Sequence, residues 1–572
     1  MILSSIRQKK INDTRHQAIL DTLSAQGSKN PKIIKDDSYN ILIYDKNAAP
    51  TENYFKNKLG DYCASSGCFF YKGNNGKKAL KSFLDDFDPG NYSPIGFMGV
   101  FTLIVKKFGR LFLITDPMGA SRIFHNVTMT LWSSSFLAVA KNTPGLTPDP
   151  QGIYEYAFQE TTYGENTPFN EIKMADSFSL FEFDAHSVKK FPKNIPVNFE
   201  ISNQSYNDLI EEHATLLEGQ MKNVVSSYGP RIATALSGGY DSRLMLSLAF
   251  NAGITPDVYV YGTDNSPDVL VAKSIANGES FKINHINKAR HPKPTPDQYG
   301  KILRDNFYAL DGYPAESIFD FGANMATRRE RAKNDTLILN GGGGEIYRNF
   351  FYMPDGEYTV DQLLDVFYRR YTPDLCTGRF EEFIYRDNLK RKIMRALRLK
   401  GEKMTRTQFE YAYPGFRLRY WTSRDNSNNN RIGSYLTPFI CYETIMAALK
   451  MPLEFKTHGR FQGDLINRIH PKLASYSSDY GYPFDKPVPF MKKIKNNTTI
   501  YRPVWLRRNS YAIQHKFKKL ELPEALSDKY IAAAMPSGNS LMAQYFDFSE
   551  IRDPALYSRI LTLYYLFKHI GL

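Results

Sequence analysis

At 572 residues and a formal net charge of +14, the chain is long enough for two or more domains around a large buried core. Its four cysteines (Cys63, Cys68, Cys376, Cys441) are too few and scattered for a disulfide framework and lack partners at metal-ligand spacing, so reduced cytoplasm is the compartment expected. No run of about 18 apolar residues predicts a membrane span, Met1–Asn12 carries no apolar signal segment, and Lys and Arg are spread, with small clusters at Lys390–Arg398 and Lys492–Lys495. That spread suits a solvated surface or an anionic substrate better than nucleic acid.

Residues 1 to about 35 read as a polar lead-in, and Tyr39–Tyr44 as a strand. Gly96–Val105 and Leu111–Thr115 are rich in β-branched and aromatic residues and flank Lys106–Arg110, which predicts a hairpin. Asp116–Phe124 then turns, and Thr128–Ser133 is strand-like. Pro196–Asn203 is a linker, and apolar residues at helical spacing predict a helix over Tyr206–Ser227.

Ile232–Leu236 suits a short buried strand. It breaks at Ser237-Gly238-Gly239 and runs into the apolar stretch Arg243–Phe250, a helix. Two adjacent glycines let backbone amides turn toward one point, and the helix adds its positive end, a nest for polyphosphate. Ser237 and Ser242 can donate hydroxyl hydrogen bonds. Asp241 would repel phosphate unless a cation intervened, so it is read as a magnesium ligand. Alternation continues with strands at Asp257–Tyr261 and Phe281–Ile286 around a helix at Val269–Ala276, then Thr336–Asn340 running into Gly341–Gly344. Such alternation predicts a parallel sheet with helices on both faces. Residues 357–430 are aromatic and basic, with helices over Val360–Arg370 and Phe380–Leu399. There, Arg417 and Arg419 suit either an anion clamp or structural salt bridges. Beyond Lys495 there are helices and aromatics but no motif.

Ser237-Gly-Gly-Tyr-Asp-Ser242 resembles the SGGxDS signature of the PP-loop ATP pyrophosphatases, and no Walker Gly-Lys-Ser/Thr follows. Gly96-Phe-Met-Gly-Val-Phe101, the hairpin, Asp116-Pro-Met-Gly119 and Ile123-Phe-His125 resemble, in order, the glutaminase domain of B-type asparagine synthetases. The resemblance implies an Ntn-hydrolase-like domain whose nucleophile is an N-terminal cysteine. Position 2 is Ile and no cysteine precedes Cys63, so a glutaminase fold without glutaminase activity is expected, unless the site is rebuilt around Cys63 or Cys68. Gly262-x-x-x-Ser266-Pro-Asp268 is similar to the family's second block, which implies adenine packing at Tyr261 and Gly262. Asn340–Glu345 resembles its third. That implies Asn340 and Gly341 at the ribose and α-phosphate, and Glu345 as a catalytic and metal-holding carboxylate shared with Asp241. Gly342 replaces the acidic residue assigned to ammonia, so aspartate plus ammonia is not implied. Thr437-Pro-Phe439 resembles the family's Val-Pro-Phe and should begin the last helical layer. The family's late catalytic lysine would fall in Pro471–Pro487, with Lys486 first and Lys472 second, or either lysine simply solvated.

The expected fold is therefore mixed α/β and α+β in two domains. Residues 1–200 form a β-rich, Ntn-hydrolase-like sandwich and 201–495 a PP-loop parallel sheet flanked by helices; 496–572 is a helical extension. The expected activity is ATP-dependent, AMP-forming amide ligation, with ATP and Mg2+ as cofactors. Leu236, Ser237, Gly238, Gly239, Asp241, Ser242, Tyr261, Gly262, Asn340 and Gly341 are the nucleotide-binding candidates. The substrate would be a small-molecule, peptide or sugar carboxylate, as in β-lactam synthetases, lasso-peptide cyclases or enzymes amidating polysaccharide sugar acids. A PP-loop enzyme acting on tRNA and a non-catalytic ATP-binding partner protein are the other readings, and a homodimer is compatible with the sequence.

Overall fold

The computed structural model describes residues 2–5, 13–36, 39–48, 52–184, 187–516, 518–535 and 541–572. Two six-stranded antiparallel sheets organise the first part of the chain. In the first, Ile2–Ser5 lies between Leu131–Ser133 and Tyr39–Ile43. In the second, Phe101–Lys107 lies between Tyr62–Gly67 and Arg110–Thr115. Alternation along each strand sets the layers. Tyr39, Ile41 and Ile43 share one apolar cluster with Ile104, Leu111, Leu113 and Trp132, between the sheets. The intervening residues turn outward: Phe101, Leu103 and Val105 pack with Ala79, Leu80, Phe83 and Leu84 of the helix Gly76–Asp86. Leu42 and Leu131 join Ile19 and Leu23 of the helix Asp13–Ala25. The order is thus helix, sheet, sheet, helix.

The hairpin turns through Phe108 and Gly109, both at positive φ (52° and 75°), which matches the twist of a two-residue connection. The lead-in reading of residues 1–35 is corrected. Strands Ile2–Ser5 and Lys32–Lys35 belong to the first sheet, and the helix Asp13–Ala25 covers it. Among the described side chains of that helix only Ile19 and Leu23 are buried hydrophobic residues, too sparse an apolar signal to mark it.

A five-stranded parallel sheet follows. Its spatial order is Ile283–Ile286, Asp257–Tyr261, Ile232–Ala235, Leu337–Leu339, Ser434–Leu436. Numbered along the chain this is 3-2-1-4-5, so the order reverses between Ile232–Ala235 and Leu337–Leu339. Crevices at the carboxyl ends of strands, at such a reversal, are where open α/β sheets bind ligands. Leu236, Val258 and Val260 pack with Leu246, Val269, Ala272 and Ile275 of the helices Tyr240–Asn251 and Pro267–Gly278. Ser434–Leu436 is a strand that precedes Thr437-Pro-Phe439, and the helix Tyr442–Leu449 follows.

Two parts of the chain beyond 495 pack on the rest. The helix Pro554–Ile570 packs through Phe567 on Phe169, and Arg559 Nε donates to Ala157 O at 2.7 Å. Tyr530 OH donates to Pro294 O at 2.8 Å. Among the described residues no helix is long and apolar enough to cross a membrane.

Candidate functional site

The strand Ile232–Ala235 ends into the loop at the sheet reversal, and the helix Tyr240–Asn251 starts from it. Ser242 Oγ accepts from Ser237 N at 2.9 Å and lies 2.9 Å from Ser237 Oγ; Gly239 N donates to Ser237 Oγ at 3.3 Å. The loop is thus tied by its own hydroxyls. Gly238 N donates to Asp268 Oδ1 at 2.7 Å. Asp268 closes the Gly262–Asp268 block, so the structure joins the first two motifs through a carboxylate on the amide nest. Asp479 covers the other side: its N–H donates to Gly238 O at 3.2 Å. A Cβ on Gly238 would come within 2.6 Å of Asp479 Cβ. Burial, then Asp268, holds the Asp479 carboxyl above its usual range, with Arg243 opposing. Arg243 is buried; Nη1 and Nη2 donate to the carbonyls of Tyr476 and Ser477, both at 2.8 Å, and the guanidinium lies over Phe484.

Asp241 and Glu345 also meet, around a residue the sequence did not single out. Arg348 Nη2 donates to both Asp241 carboxylate oxygens, at 3.1 and 2.8 Å, and lies 3.5 Å from Glu345 Oε1. Gln462 Nε2 donates to Asp241 Oδ1 at 2.7 Å, and Tyr413 OH donates to Glu345 Oε2 at 2.6 Å. Burial pushes the Asp241 carboxyl up to about 6; Arg348 opposes this and Glu345 adds to it. Tyr413 opens a ten-residue π-helical stretch, Tyr413–Thr422, a rare wide turn that is frequent at functional sites.

The glycine run explains how these groups come so close. A Cβ on Gly341 would stand 2.8 Å from the Asp241 backbone, and one on Gly344 2.3 Å from Asp241 Oδ1. Neither glycine has positive φ, so the requirement is space. The close approach is to the start of the neighbouring helix. Asn340 N donates to Leu436 O at 2.9 Å, and its side chain accepts from Gly342 N at 3.2 Å.

Across the crevice, Leu236 is buried and its N–H donates to Tyr259 O at 2.8 Å. Gly262 has φ 144° and sits against Ser266 Oγ, which a Cβ would approach to 2.3 Å. Its carbonyl faces His285 Nε2 at 2.9 Å and its N–H donates to Ile286 O at 3.3 Å. Tyr261 is partly exposed, with Lys288 Nζ 5.0 Å and the Arg331 guanidinium 5.5 Å from its ring centre. Tyr259 is buried, and Arg331 Nη1 donates to its hydroxyl at 2.8 Å.

The two lysine candidates stay apart from these contacts. Lys486 is exposed and makes no hydrogen bond or ion pair among the described residues. Lys472 Nζ donates to Gly278 O and pairs with Glu279, both at 3.1 Å. Arg419 is buried, donating to Gly415 O at 2.8 Å and Ser177 Oγ at 3.2 Å, so it ties the π-helical stretch to the sandwich. Arg417 lies over the rings of Phe367 and Trp421.

Neither thiol of the sandwich is a poised nucleophile. Cys63 is wholly buried in the outer apolar layer, and burial raises its pKa. Cys68 borders a cavity of about 360 Å³ lined also by Lys46, Ser65, Ser66 and Arg122. Burial pushes it up to about 11 against the pull of Lys46, so it is a protonated thiol at neutral pH.

Among the described residues no three His, Cys, Asp or Glu groups converge, but magnesium commonly takes one or two carboxylates and completes its shell with phosphate oxygens and water. Asp241 and Glu345 fit that pattern, with Arg348 now supplying the positive charge between them. Arg348, Tyr413, Gln462 and Asp479 are the residues sequence reasoning missed. The one local signal was the Glu345–Arg348 spacing of three, which a helical turn brings together.

No protein-family model matches the sequence, and no curated protein matches it. Among solved structures, glutamine phosphoribosylpyrophosphate amidotransferase from B. subtilis, complexed with ADP and GMP, is similar at 9% identity and a TM-score of 0.23. The match covers 59% of this chain and 80% of that one, and a likeness this slight carries no argument.

Proposed function

We propose that the chain is an ATP-dependent, AMP-forming amide ligase resembling the asparagine synthetases. The observation that carries this reading is the meeting of the Ser237–Ser242 loop with the Asn340–Glu345 run at the reversal of the parallel sheet. In this reading, the β- and γ-phosphates displace Asp268 from Gly238 N and take the loop amides and hydroxyls. The ribose and α-phosphate lie toward Asn340 and Gly341, and adenine toward Tyr261 and Gly262. Asp241 and Glu345 would hold magnesium, which neutralises phosphate charge as pyrophosphate departs. Arg348, freed from bridging the carboxylates, would steady the same charge. The substrate carboxylate attacks the α-phosphorus and the bond to pyrophosphate breaks, leaving acyl-AMP. An amine then attacks the acyl carbon, loses its proton and expels AMP. Lys486 remains the lysine proposed to steady negative charge as acyl-AMP forms and collapses.

The test is pyrophosphate release from ATP and magnesium over a panel of carboxylates, with ammonia, glutamine or no added amine. Release with one class of acid, abolished in Asp241→Ala and indifferent to glutamine, is the expected result. Nucleotide binding without release for any acid would replace the ligase with a non-catalytic ATP-binding protein. Glutamine-dependent turnover would restore glutaminase activity to the sandwich.

A further inference from the structure

Residues 486–520 hold ten Lys and Arg and no Asp or Glu, against a net charge of +14 for the whole chain. The spread that the composition suggests is therefore uneven: most of the excess sits on one segment. The same segment exposes large apolar side chains. Phe490 is 75% exposed, Met491 72%, Tyr501 71% and Trp505 66%. The helix Phe490–Ile500 buries only Ile500. At about 100° per residue, Phe490, Ile494 and Tyr501 fall within roughly 40° of one another. They form one outward stripe. Lys493, Lys495 and Arg502 are exposed beside it and make no ion pair among the described residues.

We propose that this face, the helix Phe490–Ile500 with Tyr501 and Trp505, docks on an anionic lipid bilayer. Two features favour lipid over nucleic acid. The exposed apolar side chains include Met491 and Ile494, which offer no planar face for base stacking. Trp505 and Tyr501 are the side chains that settle at the water–hydrocarbon boundary, flanked by lysines that face anionic headgroups. Attachment is peripheral. It also has a bearing on the crevice: Lys492 Nζ lies 5.3 Å from the ring centre of Tyr480. Tyr480 OH in turn accepts from Arg348 Nη1 at 3.4 Å. The docked face thus adjoins the Asp241–Arg348 pair. The proposal stands whether or not that pair is part of a ligase.

The test uses the full chain with vesicles of phosphatidylcholine alone or mixed equally with phosphatidylglycerol. Flotation with the mixed vesicles only, weakened by salt, is expected. Trp505 emission should shift to the blue and be quenched by brominated acyl chains, a response absent in Trp505→Phe. The pair Phe490→Ser and Trp505→Ser should abolish flotation. Changing Lys492, Lys493 and Lys495 together to Gln should weaken it roughly a hundredfold, at about one kcal/mol per charge. These side chains lie at the surface, and circular dichroism checks that the variants fold. Equal binding to neutral vesicles would overturn the proposal, as would absence of binding. So would salt-sensitive binding to single-stranded RNA but not to vesicles, or self-association lost with Phe490→Ser and Trp505→Ser.

Discussion

Arg348 Nη2 grips both carboxylate oxygens of Asp241, at 3.1 and 2.8 Å, and so joins the two glycine-rich segments. Arg348→Ala leaves a half-buried carboxylate with Gln462 as its remaining partner. That should cost about 2 kcal/mol of stability and lower pyrophosphate release at least tenfold. Asp241→Asn removes the charge opposite the guanidinium and leaves Glu345, at 3.5 Å, as its remaining carboxylate. Because the two residues act as a pair, the double variant should lose less stability than the sum of the singles. Urea unfolding of all four proteins checks it; strict additivity would show that the pair contributes no coupling.

Gly344→Ala places a methyl group where Asp241 Oδ1 stands, 2.3 Å away. Overpacking of this kind costs about 1–3 kcal/mol, and here it also pushes Asp241 off Arg348 and Gln462. Gly378 is exposed with nothing within 4 Å of its Cβ position, so Gly378→Ala is the matched control and should be neutral. Unfolding midpoints and pyrophosphate release should both fall in the first variant and hold in the second.

Much of the second half was legible because its elements are local and strongly patterned. Asp257–Tyr261 is a strand with the bounds expected from its alternating Val and Tyr residues, and the helix after Gly238-Gly239 starts at Tyr240. What was not legible depended on distance along the chain. Arg348 lies one helical turn from Glu345, but Tyr413 and Gln462 reach Glu345 and Asp241 from separate segments, and no spacing in the sequence encodes their convergence. Ser434–Leu436 is a three-residue strand, too short for alternation to show. Ile2–Ser5 pairs with residues 39–42 and 131–133, partners no local pattern names.

Lys193 gives a pH dependence of stability. It is buried, and Nζ donates to Thr115 Oγ1 at 2.6 Å, Asp116 O at 2.9 Å and Thr115 O at 3.2 Å. Burial pulls its pKa down from 10.5 to about 7; Asp116 and Asp176 oppose this and Arg419 adds to it. Between those values the unfolded chain binds the extra proton, so stability rises with pH through the window and is lost as pH falls toward about 7. The contribution is about 1 kcal/mol per pH unit inside that window. Lys193→Met removes the titration, so its urea midpoint should climb less steeply between neutral and mildly alkaline pH. Parallel slopes would mean that Lys193 titrates alike in both states.

In the proposed ligase, Lys486 and Arg348 are the two candidates for the positive charge at the reacting phosphate and acyl groups. Lys486 stands in the segment assigned to the late lysine, yet it is exposed and makes no ion pair or hydrogen bond among the described residues. Arg348 already touches Asp241 and lies 3.5 Å from Glu345. If nucleotide binding draws Lys486 into the crevice, Lys486→Ala should lower amide formation at least a hundredfold, the scale of losing one donor at a developing anion. Nucleotide affinity should stay within about twofold, because the resting structure gives Lys486 no partner to lose. If Arg348 alone supplies the charge, Lys486→Ala should be indistinguishable from the parent, and Arg348→Lys should retain more turnover than Arg348→Ala. Measuring acyl-AMP formation and its breakdown by amine separately assigns each cation to its step. Loss confined to the second step in Lys486→Ala is the outcome that places the lysine at the amine's attack.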